Sequence, residues 1–176
     1  MHRNSCILGV AALIGLASPI ATRAQAPGDF RVPDSTADLG LSGPRFGVTF
    51  LTAEMRQKLT DRQISVGPVI SQFGWQFEKQ FLGSPGGLTA VSEWVVLVGG
   101  LESGAFLPSL SWLVGMRTPG GTEFGIGPNL SAAGSALVIA IGMTRRSGAL
   151  NIPVNLAIVP SKEGVRIGVL TGFTMR

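Results

Sequence analysis

The residues of this chain that could do chemistry are carboxylates and guanidinium groups placed across short Gly-rich turns. A hairpin centred on Pro85 and Gly86 would place Glu78 opposite Glu93 on neighbouring strands. Two adjacent carboxylates repel each other unless one is protonated or a cation lies between them. Such a pair can act as general acid and base, as in glycoside hydrolysis. It can also belong to a structural charge network, which we favour because no cleft-forming insertion surrounds it.

A second turn brings opposite charges together. The turn over residues 119–121 would place Arg117 opposite Glu123, on the same polar face as the two carboxylates. A charged side chain that is buried in a narrow interior must be paired. Arg45 and Arg166 fall on the polar face of the first and last strands. We therefore predict one interior charge network, and its members are Arg45, Glu78, Glu93, Arg117, Glu123 and Arg166.

The composition of the chain excludes most other kinds of catalytic and metal site. Its single His is His2, its single Cys is Cys6, and it contains no Tyr. If the first 26 residues are removed, neither imidazole nor thiol remains, which excludes Ser-His-Asp and Cys-His catalysis, disulfides and nearly all zinc or transition-metal sites. The Gly-rich stretch 120–127 lacks the Lys-Ser/Thr ending and the following helix of a phosphate loop. We expect no enzyme activity, no cofactor and no metal site.

Residues 1–26 have the pattern of a secretory signal peptide. Arg3 precedes an apolar stretch over residues 6–17, and Ala24 and Ala26 supply the small residues of a cleavage site. The apolar stretch is too short for a membrane span, which needs about 20 residues. A retained anchor is the alternative. We expect export and cleavage after Ala26, followed by a flexible leader over residues 27–44 that is rich in Pro, Gly, Ser and Asp.

Charge and hydropathy indicate which class of protein this chain belongs to. Arg3 and Arg23 leave with the signal peptide, so 14 basic residues become 12 against 10 acidic ones. The longest basic run that remains is Arg145 and Arg146, and we expect no nucleic-acid partner. Mean hydropathy is +0.38, yet residues 27–176 contain no run of 18 apolar residues. A hydrophobic chain without a membrane helix is typical of a membrane β-barrel.

The chain from residue 45 onward repeats a pattern of strand and Gly-bearing turn. Eight runs are predicted as strands: residues 45–51, 64–82, 87–101, 105–117, 122–130, 135–145, 149–159 and 164–174. One short helix or loop is predicted over residues 52–59, where Met55 and Leu59 fall on one face. Short turns favour an antiparallel meander, and closure of its even number of strands removes exposed edges. The predicted fold is all-β, a single up-and-down antiparallel barrel over residues 45–176.

Each predicted strand has one apolar face and one polar or Gly-rich face. In the seventh run Ile152 and Val154 alternate with Asn151 and Pro153. An eight-stranded barrel is just wide enough to be filled by side chains or to hold one small ligand. The narrow interior favours Gly and polar residues inside and large apolar residues outside, facing lipid, with the three Trp residues as interfacial anchors. The alternative is a soluble, lipocalin-like barrel with the aromatic residues inside.

The pattern as a whole resembles small eight-stranded outer-membrane β-barrel proteins of diderm bacteria. The features that carry the resemblance are the cleavable signal, the eight alternating strands and the last strand over residues 165–173. It implies an outer-membrane location, membrane lipid as partner, and a structural or interaction role in the cell envelope with a lumen plugged by side chains. The alternative function is a barrel that binds or carries a small hydrophobic molecule, in the membrane, in the periplasm or as a secreted protein.

Overall fold

The computed structural model describes residues 40–83 and 87–175. The predicted signal peptide and leader residues 27–39 lie outside the described residues, as does the centre of the Pro85–Gly86 turn. The helix α1 spans Ala53–Asp61, and a 3₁₀ turn spans Leu101–Ser103. The strands are β1 (Gly43–Leu51), β2 (Val69–Gly83), β3 (Thr89–Gly99), β4 (Leu107–Arg117), β5 (Thr122–Ser131), β6 (Gly134–Ser147), β7 (Leu150–Ser161), β8 (Gly164–Gly172) and β9 (Thr174–Met175).

The strands form a closed antiparallel barrel with eight staves. Each strand from β1 to β8 pairs with its neighbours in sequence, and β1 closes the ring by pairing with β8. After a break at Phe173, β9 continues β8 against β7 in unchanged register, since Val154 lies opposite Thr171 and Asn151 lies opposite Thr174. The predicted fold class is therefore confirmed.

The largest difference from the predicted strands lies between β1 and β2. The second strand begins at Val69 rather than at residue 64, because Gly67 and Pro68 interrupt it and Pro has no N–H for a strand ladder. Ile64 and Val66 pack instead against the buried cluster beneath α1. The first strand begins at Gly43, inside the predicted leader. Among the described residues, no helix is both long and apolar enough to cross a bilayer.

The large apolar residues of the strands point out of the barrel. Phe46 is 46% exposed, whereas its neighbour Arg45 is 1% exposed. The same alternation holds in β7, where Ile152 is exposed and Asn151 is buried. Inward positions also carry glycines that have no room for a side chain, since a Cβ added to Gly127 would lie 1.8 Å from the carbonyl oxygen of Trp112 on the neighbouring strand. The arrangement with the aromatic residues inside is therefore wrong for this chain.

The tryptophans do not encircle the barrel. Trp75, Trp94 and Trp112 lie on the neighbouring strands β2, β3 and β4, and all point outward. Trp94 and Trp112 stack with ring centroids 5.8 Å apart, and Trp112 Nε1 donates to Ser92 Oγ at 3.0 Å. The three residues form one patch at mid-strand, away from the strand ends at which interfacial anchors are expected.

One end of the barrel is covered by α1. Met55 and Leu59 are buried on the barrel side of the helix and pack with Leu51, Ile70 and Leu107. The helix is also tied to the rim by an ion pair, because Lys58 Nζ lies 2.6 Å from Glu163 Oε1. We call this the cap end, and it carries the β1–β2, β3–β4, β5–β6 and β7–β8 connections. We call the opposite rim the plug end.

Candidate functional site

The interior near the plug end is filled by a charged cluster centred on Arg117. Its Nη1 and Nη2 donate to the two carboxylate oxygens of Glu78, and its Nε and Nη2 donate to Glu123 Oε2 at 2.9 and 2.6 Å. Nη2 also lies 3.6 Å from Glu93 Oε1. These bonds follow from the strand registers, which place Glu78 opposite Glu93 and Arg117 opposite Glu123 as the sequence predicted. We call Glu78, Glu93, Arg117 and Glu123 the charged plug.

Arg45 lies beside the charged plug without bonding to it. Its Nε donates to Gln76 Oε1 at 3.0 Å, and its Nη2 donates to the carbonyl oxygen of Leu41 at 2.6 Å. Among the described residues no carboxylate lies within ion-pair distance of Arg45. Its charge nevertheless acts on the three carboxylates through space. Arg45 thus contributes positive potential rather than a direct bond.

The charge count of the plug leaves one carboxylate without a full partner. Two guanidinium groups, those of Arg117 and Arg45, face the three carboxylates of Glu78, Glu93 and Glu123. Glu93 Oε1 is buried and accepts no hydrogen bond within the described part of the chain. Burial of an unpaired ion is costly, and a shared site for several carboxylates favours retention of a proton. We therefore expect Glu93, rather than Glu78 or Glu123, to retain a proton.

The three carboxylates also have the spacing of a cation site, because one oxygen from each lies within 4.8 Å of the others. The Arg117 guanidinium already occupies the position that a metal ion would take, with bonds to Glu78 and Glu123 and a close approach to Glu93. The geometry therefore fits an internal salt bridge. Since Arg117 engages both oxygens of Glu78, it also leaves that carboxylate little freedom to exchange protons with a substrate.

Local sequence makes room for Glu123. Gly142 lies opposite Glu123 in the β5–β6 register and opposite Asn155 in the β6–β7 register. A Cβ at position 142 would lie 2.8 Å from Glu123 Oε1 and 2.9 Å from Asn155 Nδ2. Without that side chain, Asn155 Nδ2 donates to Glu123 Oε1 at 2.7 Å. The glycine thus allows a neutral donor to satisfy the oxygen that Arg117 does not reach.

Arg166 does not join the other predicted site residues. It lies at the cap end, opposite Leu51 and Val159. Its Nη1 donates to Ser131 Oγ and its Nη2 donates to Asn129 Oδ1, both at 2.8 Å. The prediction of a single network of six residues therefore fails for Arg166. The physical reason is the position of residue 166 along β8, which places it far from the plug end.

Between the charged plug and α1 the lumen holds a cavity of about 90 Å³. We call it the apolar chamber. Its walls are mostly aliphatic, whereas Gln76, Glu93 and Asn155 form its floor at the plug and Leu51 and Leu59 form its roof. The aliphatic wall residues include Val95, Leu97, Leu113, Val138, Ala140, Ala157, Val159 and Leu170.

The sequence interpretation missed the apolar chamber, although a signal was present. Strict alternation of apolar and polar residues fails over residues 95–98 of β3 and residues 137–141 of β6, where every residue is apolar. A continuous apolar run marks a strand with apolar surroundings on both faces. In a lipid-facing barrel such runs indicate where the interior is apolar as well.

Comparison with protein-family models, with curated proteins and with solved structures finds no match to this chain. The functional argument therefore rests on the geometry of the barrel.

Proposed function

We propose that the chain is an exported outer-membrane β-barrel with a structural or interaction role in the bacterial cell envelope. The observation that carries this proposal is the outward surface of the strands. Large apolar residues occupy outward positions on all eight staves. In the strands of the described chain, the only charged residues at outward positions are Lys79 and Arg145, and both lie near the plug end.

A bilayer explains this surface better than water does. Soluble monomers rarely expose contiguous apolar patches larger than a few hundred Å². Membrane β-strands need about 9–11 residues, tilted against the bilayer normal. The staves β1 to β8 have 9 to 15 residues, so they are long enough to cross.

The contents of the lumen support a structural or interaction role rather than that of a pore. Near one end, hydrogen bonds link side chains from β2 to β7 inside the lumen, since Arg117 on β4 reaches Glu78 on β2 and Glu123 on β5, and Asn155 on β7 donates to Glu123. The hydrophobic cluster under α1 covers the other end. Outer-membrane barrels have short periplasmic turns and longer outer loops. We therefore place the cap end, which carries the long β1–β2 connection, on the outer side.

The proposal is tested by labelling from the lipid phase. Two variants that each carry one new cysteine, Ile152→Cys and Asn151→Cys, are prepared with Cys6 replaced by Ser and reconstituted in lipid vesicles. A lipid-soluble thiol probe should label position 152 and not position 151, since Ile152 points outward and Asn151 points into the lumen. Labelling of neither position, together with protein that stays soluble without detergent, would reject the membrane location.

Export is tested separately. The protein recovered from the envelope should begin at Pro27, since Ala24 and Ala26 form the cleavage site. The N-terminal sequence of the recovered protein decides the matter. An intact Met1 would contradict export by this signal, without bearing on the barrel itself.

A further inference from the structure

A half-buried guanidinium group, that of Arg166, lies at the cap end of the apolar chamber without an anionic partner among the described residues. Arg166 lines the chamber, and its two hydrogen bonds go to the neutral oxygens of Asn129 and Ser131. Among the described residues no carboxylate lies within 4.0 Å of its side-chain nitrogens. Its Nε is fully buried and donates to no acceptor in the described chain.

This arrangement is costly for the barrel when no anion is bound. A partly buried cation without a counter-ion loses part of its hydration and receives no compensating charge. Arg117 shows the alternative within the same lumen, because three carboxylates surround it. A guanidinium group has five N–H donors, so Arg166 keeps Nε–H and two further N–H groups for another acceptor.

We propose that the apolar chamber binds a small apolar molecule with one carboxylate, a short-chain fatty acid, whose carboxylate pairs with Arg166. Carboxylates accept charge-assisted, two-point hydrogen bonds from a guanidinium group. The aliphatic walls would contact the alkyl chain. This inference goes beyond the proposed function and does not rest on it, because the chamber lies inside the barrel whatever surrounds the outer surface.

The size and charge of the chamber fix the class of ligand and its orientation. An apolar protein cavity of about 150 Å³ binds benzene, which has six carbons, so a smaller chamber of about 90 Å³ suits an alkyl chain of about three to five carbons, and hexanoate carries a chain of five. The guanidinium group of Arg45 also lines the chamber at the plug, but each of its nitrogens already donates to an oxygen of the barrel. Arg166 Nε makes no such bond within the described chain. The head group therefore lies at Arg166, and the chain extends towards Leu113 and Ala140.

The experiment is calorimetric titration of sodium hexanoate into the full barrel in neutral detergent micelles, with empty micelles as blank. We expect saturable binding with one site per barrel. Arg166→Met should weaken hexanoate binding about tenfold or more, because the charge-assisted bonds are lost while side-chain length is kept. Arg145→Met is the matched control, since it removes an exposed arginine at the plug end, and it should leave binding unchanged.

Two further probes separate the two halves of the site. Acetate, which has the carboxylate without the chain, should bind at least about tenfold more weakly than hexanoate, because each buried CH₂ contributes about 0.8 kcal/mol. Ala140→Leu should fill the chamber and weaken hexanoate binding while Arg166 stays in place. No saturable hexanoate binding by the native barrel would overturn the proposal. Equal binding by native protein and Arg166→Met, or equal binding of acetate and hexanoate, would overturn it too.

Discussion

The two ends of the lumen are filled by different kinds of side chain. At the plug end, charged side chains fill the space and bond to one another, with Arg117 at their centre. At the cap end, aliphatic side chains surround a cavity, and one guanidinium group lies there beside neutral oxygens. Hydrogen bonds from Arg117 hold Glu78 and Glu123 in place at the plug end. The plug end thus fixes the barrel, whereas the cap end keeps space and unused donors.

The largest expected effect comes from the same change made at the two ends. Arg117→Met leaves buried carboxylates without a counter-ion and should lower the free energy of unfolding by about 3–5 kcal/mol. Arg166→Met leaves only neutral oxygens and removes a half-buried charge that has no ionic partner among the described residues, so its effect should stay within about 1 kcal/mol. Urea titrations of both variants in lipid vesicles measure the difference. Equal losses in the free energy of unfolding would show that the two arginines stabilise the barrel to the same extent.

Substitutions of the carboxylates distinguish members within the charged plug. Glu78→Gln removes the charge that accepts two bonds from Arg117 and should cost about 3 kcal/mol. Glu93→Gln imitates the protonated acid and should cost less than about 1 kcal/mol, since Glu93 Oε1 accepts no hydrogen bond in the described chain. The two unfolding free energies are compared in the same lipid. A larger loss of stability for Glu93→Gln than for Glu78→Gln would contradict the prediction that Glu93 carries the proton.

The wall of the apolar chamber should respond more weakly than the charged plug. Leu113→Ala removes a buried side chain that already borders a cavity. Its cost should lie near the low end for buried Leu→Ala changes, at about 2 kcal/mol. Leu110→Ala, on the outward face of the same strand, provides the matched control for effects of lipid contact. A loss above about 4 kcal/mol for Leu113→Ala would indicate a tightly packed interior.

The smallest effect is expected at the tie between α1 and the rim. The hydrogen bond from Lys58 lowers the pKa of the Glu163 carboxyl. The contribution of this ion pair to the stability of the folded state is therefore fully present above the ordinary pKa of a glutamate, and it is lost as the pH falls through the lowered pKa. Glu163→Gln should leave global unfolding unchanged but speed hydrogen exchange of the α1 amides. Lys162→Gln, which changes an exposed charge beside Glu163 and removes none of the ion pairs of the described chain, should not change that exchange.

Part of the candidate site could be predicted from sequence because turns fix register. Short turns leave few ways to pair two strands, and residues 119–121 set Arg117 opposite Glu123. In the β2–β3 hairpin the register shifts by one residue between Gln80 and Leu82, and beyond this shift Glu78 lies opposite Glu93 as predicted. Arg166 could not be placed in this way. Its distance from the other charges depends on how eight staves stagger around the ring, which no single hairpin specifies.

The sequence by itself determined the eight alternating strands, their antiparallel order and the pairing of charges across each turn. Alternation has a period of two, and this period is a local property that fixes which residues share a face. Only the tertiary structure decided which face is inside, that α1 covers one end, and that apolar residues of β3 and β6 face each other across a cavity. Those features depend on closure of the ring, because only closure brings together the inward faces of strands that are distant in sequence.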